Sequence, residues 1–289
     1  MHVKESEKFV ASNILEGMTS VSALLNAQGQ GYNDRRVQQI LIDRSRVEKL
    51  SREIRFLQAK AKELCFEIRY TSNEEIAQHT IGNSHGGVIA FCTERTIPEL
   101  RAEDIHSHGF YVYLEGIEDP YNFGYTIRSL YAAGVDGVIL SPRNWMSAGG
   151  VVARSSAGAS ELLPLFLSEP DTMTTLFHEA GYRIYAAGIR DSVSIYDAEL
   201  NRPLLLIVGG EKRGISRALL DRADQVVRID YGRDFRGSLS AASAATVMAF
   251  VIAEEMTIPT IPFAKSFAAL AICALSFVFL AFSKRTALL

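Results

Sequence analysis

Between Phe110 and Asp230 short apolar runs alternate with longer mixed stretches. Phe110 to Ile117, Gly137 to Leu140, Leu163 to Leu167, Arg183 to Ala187, Leu204 to Val208 and Gln225 to Asp230 have the length and content of strands. Pro203 to Val208 is almost wholly apolar, the pattern of a strand buried on both faces. Asp119-Pro120 opens a helix with an oxygen cap and a proline in the first turn. That helix runs to about Ala133 and stops at Gly134, and a second, Asp171 to Ala180, ends at Gly181. Strand alternating with helix predicts an α/β domain with a largely parallel sheet and helices on both faces.

Upstream, residues from about Asn13 to Cys92 form their own pattern. Val37 to Ile42, Phe66 to Tyr70 and Val88 to Cys92 read as strands. Arg46 to Leu64 predicts a helix, because Val47, Leu50, Ile54, Leu57, Ala61 and Leu64 recur every three or four positions. Another helix starts near Asn73. Thr93 to Gly109, with Pro98 and a charged, His-containing end, reads as a connection. The expected organisation is a first domain over 13–92, a linker over 93–108, an α/β domain over 109–256 and an apolar tail over 257–289.

A chain of 289 residues is long enough for one large or two ordinary domains. Its net charge of −3 offers no overall attraction to nucleic acid. The charge is uneven, however: nine Lys or Arg stand against three acids between Arg35 and Lys62. That run fits a solvated helix face or a surface contacting phosphates, and both readings stay open. Cys65, Cys92 and Cys273 form no CxxC pair, which points to a reducing compartment such as the cytoplasm, without a zinc site or disulfide frame. His106 and His108 are isolated in the linker, so no metal is expected. The opening MHVKESEKFV lacks the apolar core of a signal peptide, and secretion is not expected. At the other end, Ser266 to Ser283 is uncharged between Lys265 and Lys284-Arg285. As a helix it spans about 27 Å, just short of a hydrocarbon core of about 30 Å. A membrane anchor, a helix docked on the protein or on a dimer partner, and an artefactual end of the reading frame are its three readings.

Candidate chemistry concentrates in two glycine-marked loops. The apolar run before Gly209-Gly210 and the run before Gly232 and Gly237 each empty into a loop whose backbone can pass close to a ligand. Two strand ends opening side by side form the crevice in which open α/β sheets hold small molecules. The chain has no GxGxxG, Walker A or GxSxG sequence, which argues against dinucleotide binding, phosphate-loop chemistry and an α/β-hydrolase.

Val208-Gly209-Gly210-Glu211-Lys212-Arg213-Gly214-Ile215-Ser216 resembles the second motif of the SpoU-type (TrmH-like) RNA 2′-O-ribose methyltransferases of the SPOUT superfamily. Ser238-Leu239-Ser240-Ala241-Ala242-Ser243 resembles their third motif, and Asn122-Phe123-Gly124 with Arg128 their first. All three stand in the family's order and spacing, over roughly Phe110 to Met256. Residues 13–92 resemble, more faintly, the ribosomal-protein-like RNA-binding domain that precedes many such domains, with His85-Gly86-Gly87-Val88-Ile89-Ala90 at the junction.

The resemblance implies a trefoil-knotted, mostly parallel sheet with a smaller N-terminal α/β RNA-binding domain. It also implies S-adenosyl-L-methionine as cofactor, ribosomal or transfer RNA as substrate, and a homodimer. By the family pattern Gly209, Ile229 and Leu239 meet the cofactor through their backbone, with Gly210 beside them. Arg128 is the position most associated with catalysis; it lies about 120° around the helix from Asn122, which is placed to fix the loop. A guanidinium there holds an RNA phosphate and favours an alkoxide-like oxygen. Glu211 either accepts backbone N–H bonds or is an exposed carboxylate. In two places the chain departs from the family: Ser240 stands where Asn is usual, and Asp230-Tyr231 follows Ile229 where Pro-Met is common. The Ser240 hydroxyl reaches less far than an amide. Beside a 2′-O-methyltransferase, the chain therefore also fits a catalytically weakened RNA-binding protein of this fold, or a base-nitrogen RNA methyltransferase. Trp145 either stacks on a base or packs in the core.

Overall fold

A computed structural model describes residues 12–80, 85–142, 145, 147–210, 212–235 and 237–257, with 255–257 described for backbone alone. Residues up to Ala253 form one compact unit holding two sheets.

The smaller, N-terminal sheet contains β1 (Ile14–Glu16), β2 (Val37–Asp43), β3 (Glu67–Thr71) and β4 (Val88–Cys92), in the order β1-β4-β2-β3. Strand β4 runs antiparallel to β1 and β2, whereas β2 and β3 are parallel. Helices α1 (Gly17–Ala27), α2 (Ser51–Leu64) and α3 (Asn73–Gln78) accompany it. Ile40, Ile42, Ile54, Leu57, Phe66 and Val88 make its core.

Two local differences from the sequence reading have physical causes. Helix α2 begins at Ser51 rather than Arg46, because the Asp43 carboxylate accepts from Ser45 N at 2.9 Å and caps a tight turn over Arg44–Arg46. Val47 and Leu50 still pack on the core, which is why their spacing looks helical. Helix α1 escaped the sequence reading altogether. Its Val21, Leu24 and Leu25 enter the small core while the Ser20 hydroxyl donates to Ala153 O, so it is buried on more than one side and shows no single apolar stripe.

The larger sheet contains β5 (Phe110–Glu115), β6 (Gly137–Leu140), β7 (Leu165–Leu167), β8 (Arg183–Ala187), β9 (Val193–Ser194), β10 (Leu204–Gly209) and β11 (Gln225–Arg228). Its order is β7-β6-β5-β10-β8-β11-β9, and every neighbouring pair is parallel. The remaining helices are α4 (Pro120–Ala132), α5 (Gly149–Ser155), α6 (Ala159–Leu162), α7 (Pro170–Glu179), α8 (Arg217–Leu220) and α9 (Ala241–Thr257). On one face Tyr111, Tyr113, Ile184 and Leu205 pack on Met173 and Phe177 of α7 and Leu219 of α8. The alternate residues Phe110, Val112, Leu204 and Leu206 are buried as well, as parallel strands covered on both faces require.

Residues 97–100 run beside β7, where Leu167 N donates to Pro98 O and Leu100 N to Leu167 O, both at 2.8 Å. Strand β7 starts two residues later than the sequence reading placed it, because Leu163 N still bonds back to Ala159 O at the end of α6. The segment 266–283 lies outside the described residues. Among the described residues no helix is long and apolar enough to cross a membrane.

Candidate active site

Strands β10, β8 and β11 are neighbours in the sheet, so their carboxyl ends open together. There the loops bound a cleft of about 520 Å³. Gly209, Gly210, Ile229 and Leu239, the four residues placed at the cofactor by sequence, all line it. Four positions from two distant loops thus meet in one niche.

The loop after β10 holds its shape through main-chain contacts. Gly214 N donates to Gly210 O at 2.9 Å, and the Glu115 carboxylate accepts from Ser216 N at 2.9 Å. A β-carbon at Gly209 would lie 2.5 Å from Ile215 N, and one at Gly210 would overlap the Gly116 carbonyl oxygen. Backbone cannot yield as a side chain can, so both positions require glycine for space. Gly210→Ala is expected to cost about 1–3 kcal/mol of stability. Urea unfolding measures this, and an unchanged midpoint would count against so close an approach.

The facing loop uses its aromatic residues. The Tyr231 phenol accepts from Leu239 N at 3.2 Å, and its ring packs edge-on against Phe235 with centroids 5.8 Å apart. Asp230, in the family's proline place, is drawn aside: the Ser194 hydroxyl first, and then Arg228 at 2.8 Å, hold its carboxyl below the usual carboxylate range. A carboxylate held so firmly in its ionised form makes a poor general base near neutral pH.

Ser240 lies at the start of α9, where its Oγ accepts from Ser243 N at 3.1 Å. That is a helix cap, a task that Ser and Asn perform about equally. Ser240→Asn is therefore expected to leave thermal stability within about 0.5 kcal/mol, and Ser240→Ala to lose about 1 kcal/mol. Calorimetry of the two variants decides the point; equal losses would show that the hydroxyl does not cap.

Asn122, Arg128 and Ser240 are not among the residues lining the cleft. Asn122 sits in the first turn of α4, its N–H given to the Asp119 carboxylate at 2.8 Å, and it borders a cavity of about 120 Å³ with Gly116, Glu118 and Lys212. Lys212 reaches across to Glu118 at 2.7 Å, tying the second motif's loop to the first. Arg128, two turns along α4, is exposed and forms no ion pair with another described residue. Glu211 lies outside the described residues. Sequence reading missed Arg190 and Arg213, two exposed guanidiniums that line the cleft without an ion pair to any described residue. The one signal for Arg190 was its place just beyond the end of β8. Trp145 is buried against Phe123, with ring centroids 4.8 Å apart. Among the described residues no group of three or more His, Cys, Asp or Glu could hold a metal.

The parallel sheet with a glycine-lined cleft at its strand ends, taken with the family match over residues 109–250, makes this a methyltransferase domain of the SPOUT class. Residues 109–250 match the SpoU rRNA Methylase family, and over this span the chain belongs to it. The chain is 28% identical over 252 residues to the 23S rRNA (guanosine-2'-O-)-methyltransferase RlmB of Shewanella oneidensis, covering 84% of this chain and 96% of that one. It shares its fold with the SpoU methyltransferase AviRb from Streptomyces viridochromogenes, solved with the cofactor AdoMet, at a TM-score of 0.70, 21% identity and coverage of 84% and 90%. An AdoMet-bound rRNA methyltransferase from Sinorhizobium meliloti superposes with a TM-score of 0.67 at 22% identity, covering 85% of this chain and 88% of that one.

Proposed function

We propose that this chain is an S-adenosylmethionine-dependent RNA methyltransferase that acts on a ribose 2′-hydroxyl of ribosomal or transfer RNA. The observation carrying this reading is the convergence of Gly209, Gly210, Ile229 and Leu239 on one cleft. The activity in the name of the Shewanella relative, matched along nearly its whole length, supports it.

The residues present fit the cofactor. A volume of about 520 Å³ lies within the range of small-molecule sites. Val208, Ile229 and Leu239 offer apolar walls for an adenine, Gly209 and Gly210 offer open main chain, and Arg190 and Arg213 offer cations to an anionic group such as the methionine carboxylate. When bound, the cofactor supplies the electrophilic methyl group. The chain supplies placement and charge. Arg128 holds a phosphate beside the target ribose and stabilises the developing oxyanion.

A homodimer completes the reading. Tyr121, Tyr125 and Arg128 recur at four and three residues along α4, a spacing that puts them on one stripe. Tyr121 is 44% exposed and Tyr125 50%, and Phe250 on α9 is 47% exposed. Pairing through these helices covers the aromatic side chains and sets Arg128 at the seam. Exposed Lys49, Arg52 and Arg55, on and just before α2, give the small domain its phosphate-facing surface, whereas Arg35 of the same basic run is buried in an ion pair.

Transfer of tritiated methyl groups to unmodified ribosomal and transfer RNA transcripts tests the activity. Label on ribose oxygens is the expected result. No label would leave only an RNA-binding protein of this fold, and label on base nitrogens would replace ribose chemistry with base chemistry.

A further inference from the structure

Tyr231 lines the large cleft beside Ile229 and Leu239, and among the described residues the lining holds no other aromatic ring. Its phenol oxygen accepts from Leu239 N at 3.2 Å, and its ring packs edge-on against Phe235 with centroids 5.8 Å apart. Phe235 in turn lies over Gly237, where a β-carbon would come within 2.6 Å of the ring. The segment from 231 to 239 is thus folded back on itself, and the Tyr231 side chain is held at both its ring and its hydroxyl.

Half of that hydroxyl's capacity is unused. A phenol accepts through its oxygen and donates through its own hydrogen. The oxygen is engaged by Leu239, whereas among the described residues the hydrogen meets no acceptor. Around it the walls are apolar, with Val208, Ile229 and Leu239. The guanidiniums of Arg190 and Arg213 enter the cleft from two other loops, after β8 and β10. A single neutral donor among apolar walls suits a flat heterocycle with a ring acceptor; an anionic group is better met by the guanidiniums.

We infer that Tyr231 is a cofactor-binding residue, whose hydroxyl donates to a ring nitrogen of the adenine of S-adenosylmethionine while accepting from Leu239 N. This rests on the methyl-transfer reading above and adds a hydrogen-bonding side chain to the adenine's surroundings. The two bonds support one another, because a hydroxyl that accepts from an N–H becomes a stronger donor. Leu239 N reaches the ligand through the phenol instead of directly. Phe235 and Leu239 fix the side chain before the ligand arrives, which reduces the cost of ordering it. Methionine, common in this place in the family pattern, has no hydrogen to donate, so the contact belongs to this chain and not to the motif.

The test is calorimetry on the full chain with S-adenosylhomocysteine and its 1-deaza, 3-deaza and 7-deaza forms, each of which lacks one ring acceptor. Tyr231→Phe keeps the ring against Phe235 and removes only the oxygen. It is expected to bind S-adenosylhomocysteine about three- to tenfold more weakly, the range for one net hydrogen bond. Leu239 is exposed, so water takes over its N–H and the unfolding midpoint should match wild type. For one deaza form, the loss seen with wild type should vanish in Tyr231→Phe, because the two changes remove the same bond. If every deaza loss persists in the variant, or wild type shows none, the phenol only holds its loop or serves another part of the ligand, and the adenine contact is overturned. Unchanged or tighter binding of S-adenosylhomocysteine by Tyr231→Phe overturns it as well; tighter binding would mean that the phenol keeps the ligand away from Leu239 N. Wild type that binds no S-adenosylhomocysteine overturns the methyl-transfer reading and the contact with it.

Discussion

Arg128→Ala is expected to slow methyl transfer about a hundred- to a thousandfold, the usual loss when one donor to a developing oxyanion is removed. The side chain is exposed on α4 and forms no ion pair with another described residue, so its removal leaves the packing within the protomer untouched. Midpoint of unfolding and affinity for S-adenosylhomocysteine should therefore match wild type. Arg128→Lys keeps the charge but loses the planar fork that grips a phosphate, and should fall between the two. The loss belongs in kcat if the guanidinium acts on the transition state, and in KM if it only holds RNA. A rate within threefold of wild type would remove Arg128 from the reaction altogether.

Glu161→Ala is expected to be the most destabilising single change considered, at about 3–5 kcal/mol. Glu161 is fully buried and meets Arg35, equally buried, at 3.2 Å. Asn33 Nδ2 donates to its carboxylate at 2.9 Å and to its main-chain oxygen at 3.0 Å. A second guanidinium, Arg95, donates to the carbonyls of Ser160 and Leu163 close by. Burial pushes the Arg95 pKa below its ordinary value, and the Glu161 charge opposes that push. Without Glu161 the buried Arg35 guanidinium loses its ion-pair partner and Arg95 loses the largest of the nearby negative charges, leaving Asp34. At about 2–4 °C per kcal/mol for a domain of this size, the melting temperature should fall by roughly 6–20 °C. Arg35→Met combined with Glu161→Met should recover part of the loss, since an apolar pair costs less than an orphaned charge. A single-variant loss below 1 kcal/mol would mean that water reaches the site.

Much of the larger sheet was legible because its strands are buried on both faces and leave unbroken apolar runs. Leu204 to Val208 is the plainest case, and β6 and β8 kept the bounds their runs suggested. The start of α4 was equally open to reading, since Asp119 and Pro120 act locally. What stayed hidden depends on contacts distant in sequence. Helix α1 is packed between two layers, α5 and α6 are seven and four residues long, and residues 97–100 are ordered by pairing beside β7. None of these has a period of its own. For the site, glycines that must approach other backbone stood out, whereas Arg190, Arg213 and the Glu118–Lys212 pair did not, because a charged loop residue looks the same whether it faces a cleft or water.

By itself the sequence determined the alternating α/β class, since apolar runs, helix caps and glycines where a β-carbon has no room are local chemistry, whereas Ile229 and Leu239 were placed only by resemblance to the family's motifs. Only the tertiary structure decided that the two loops meet at the ends of β10, β8 and β11, and that Ser240 caps α9. It alone joined Arg35 to Glu161 across 126 positions and Lys212 to Glu118 across 94. The physical reason is that such partners are chosen by the packing of strands and helices, which brings together side chains whose sequence neighbourhoods carry no trace of one another.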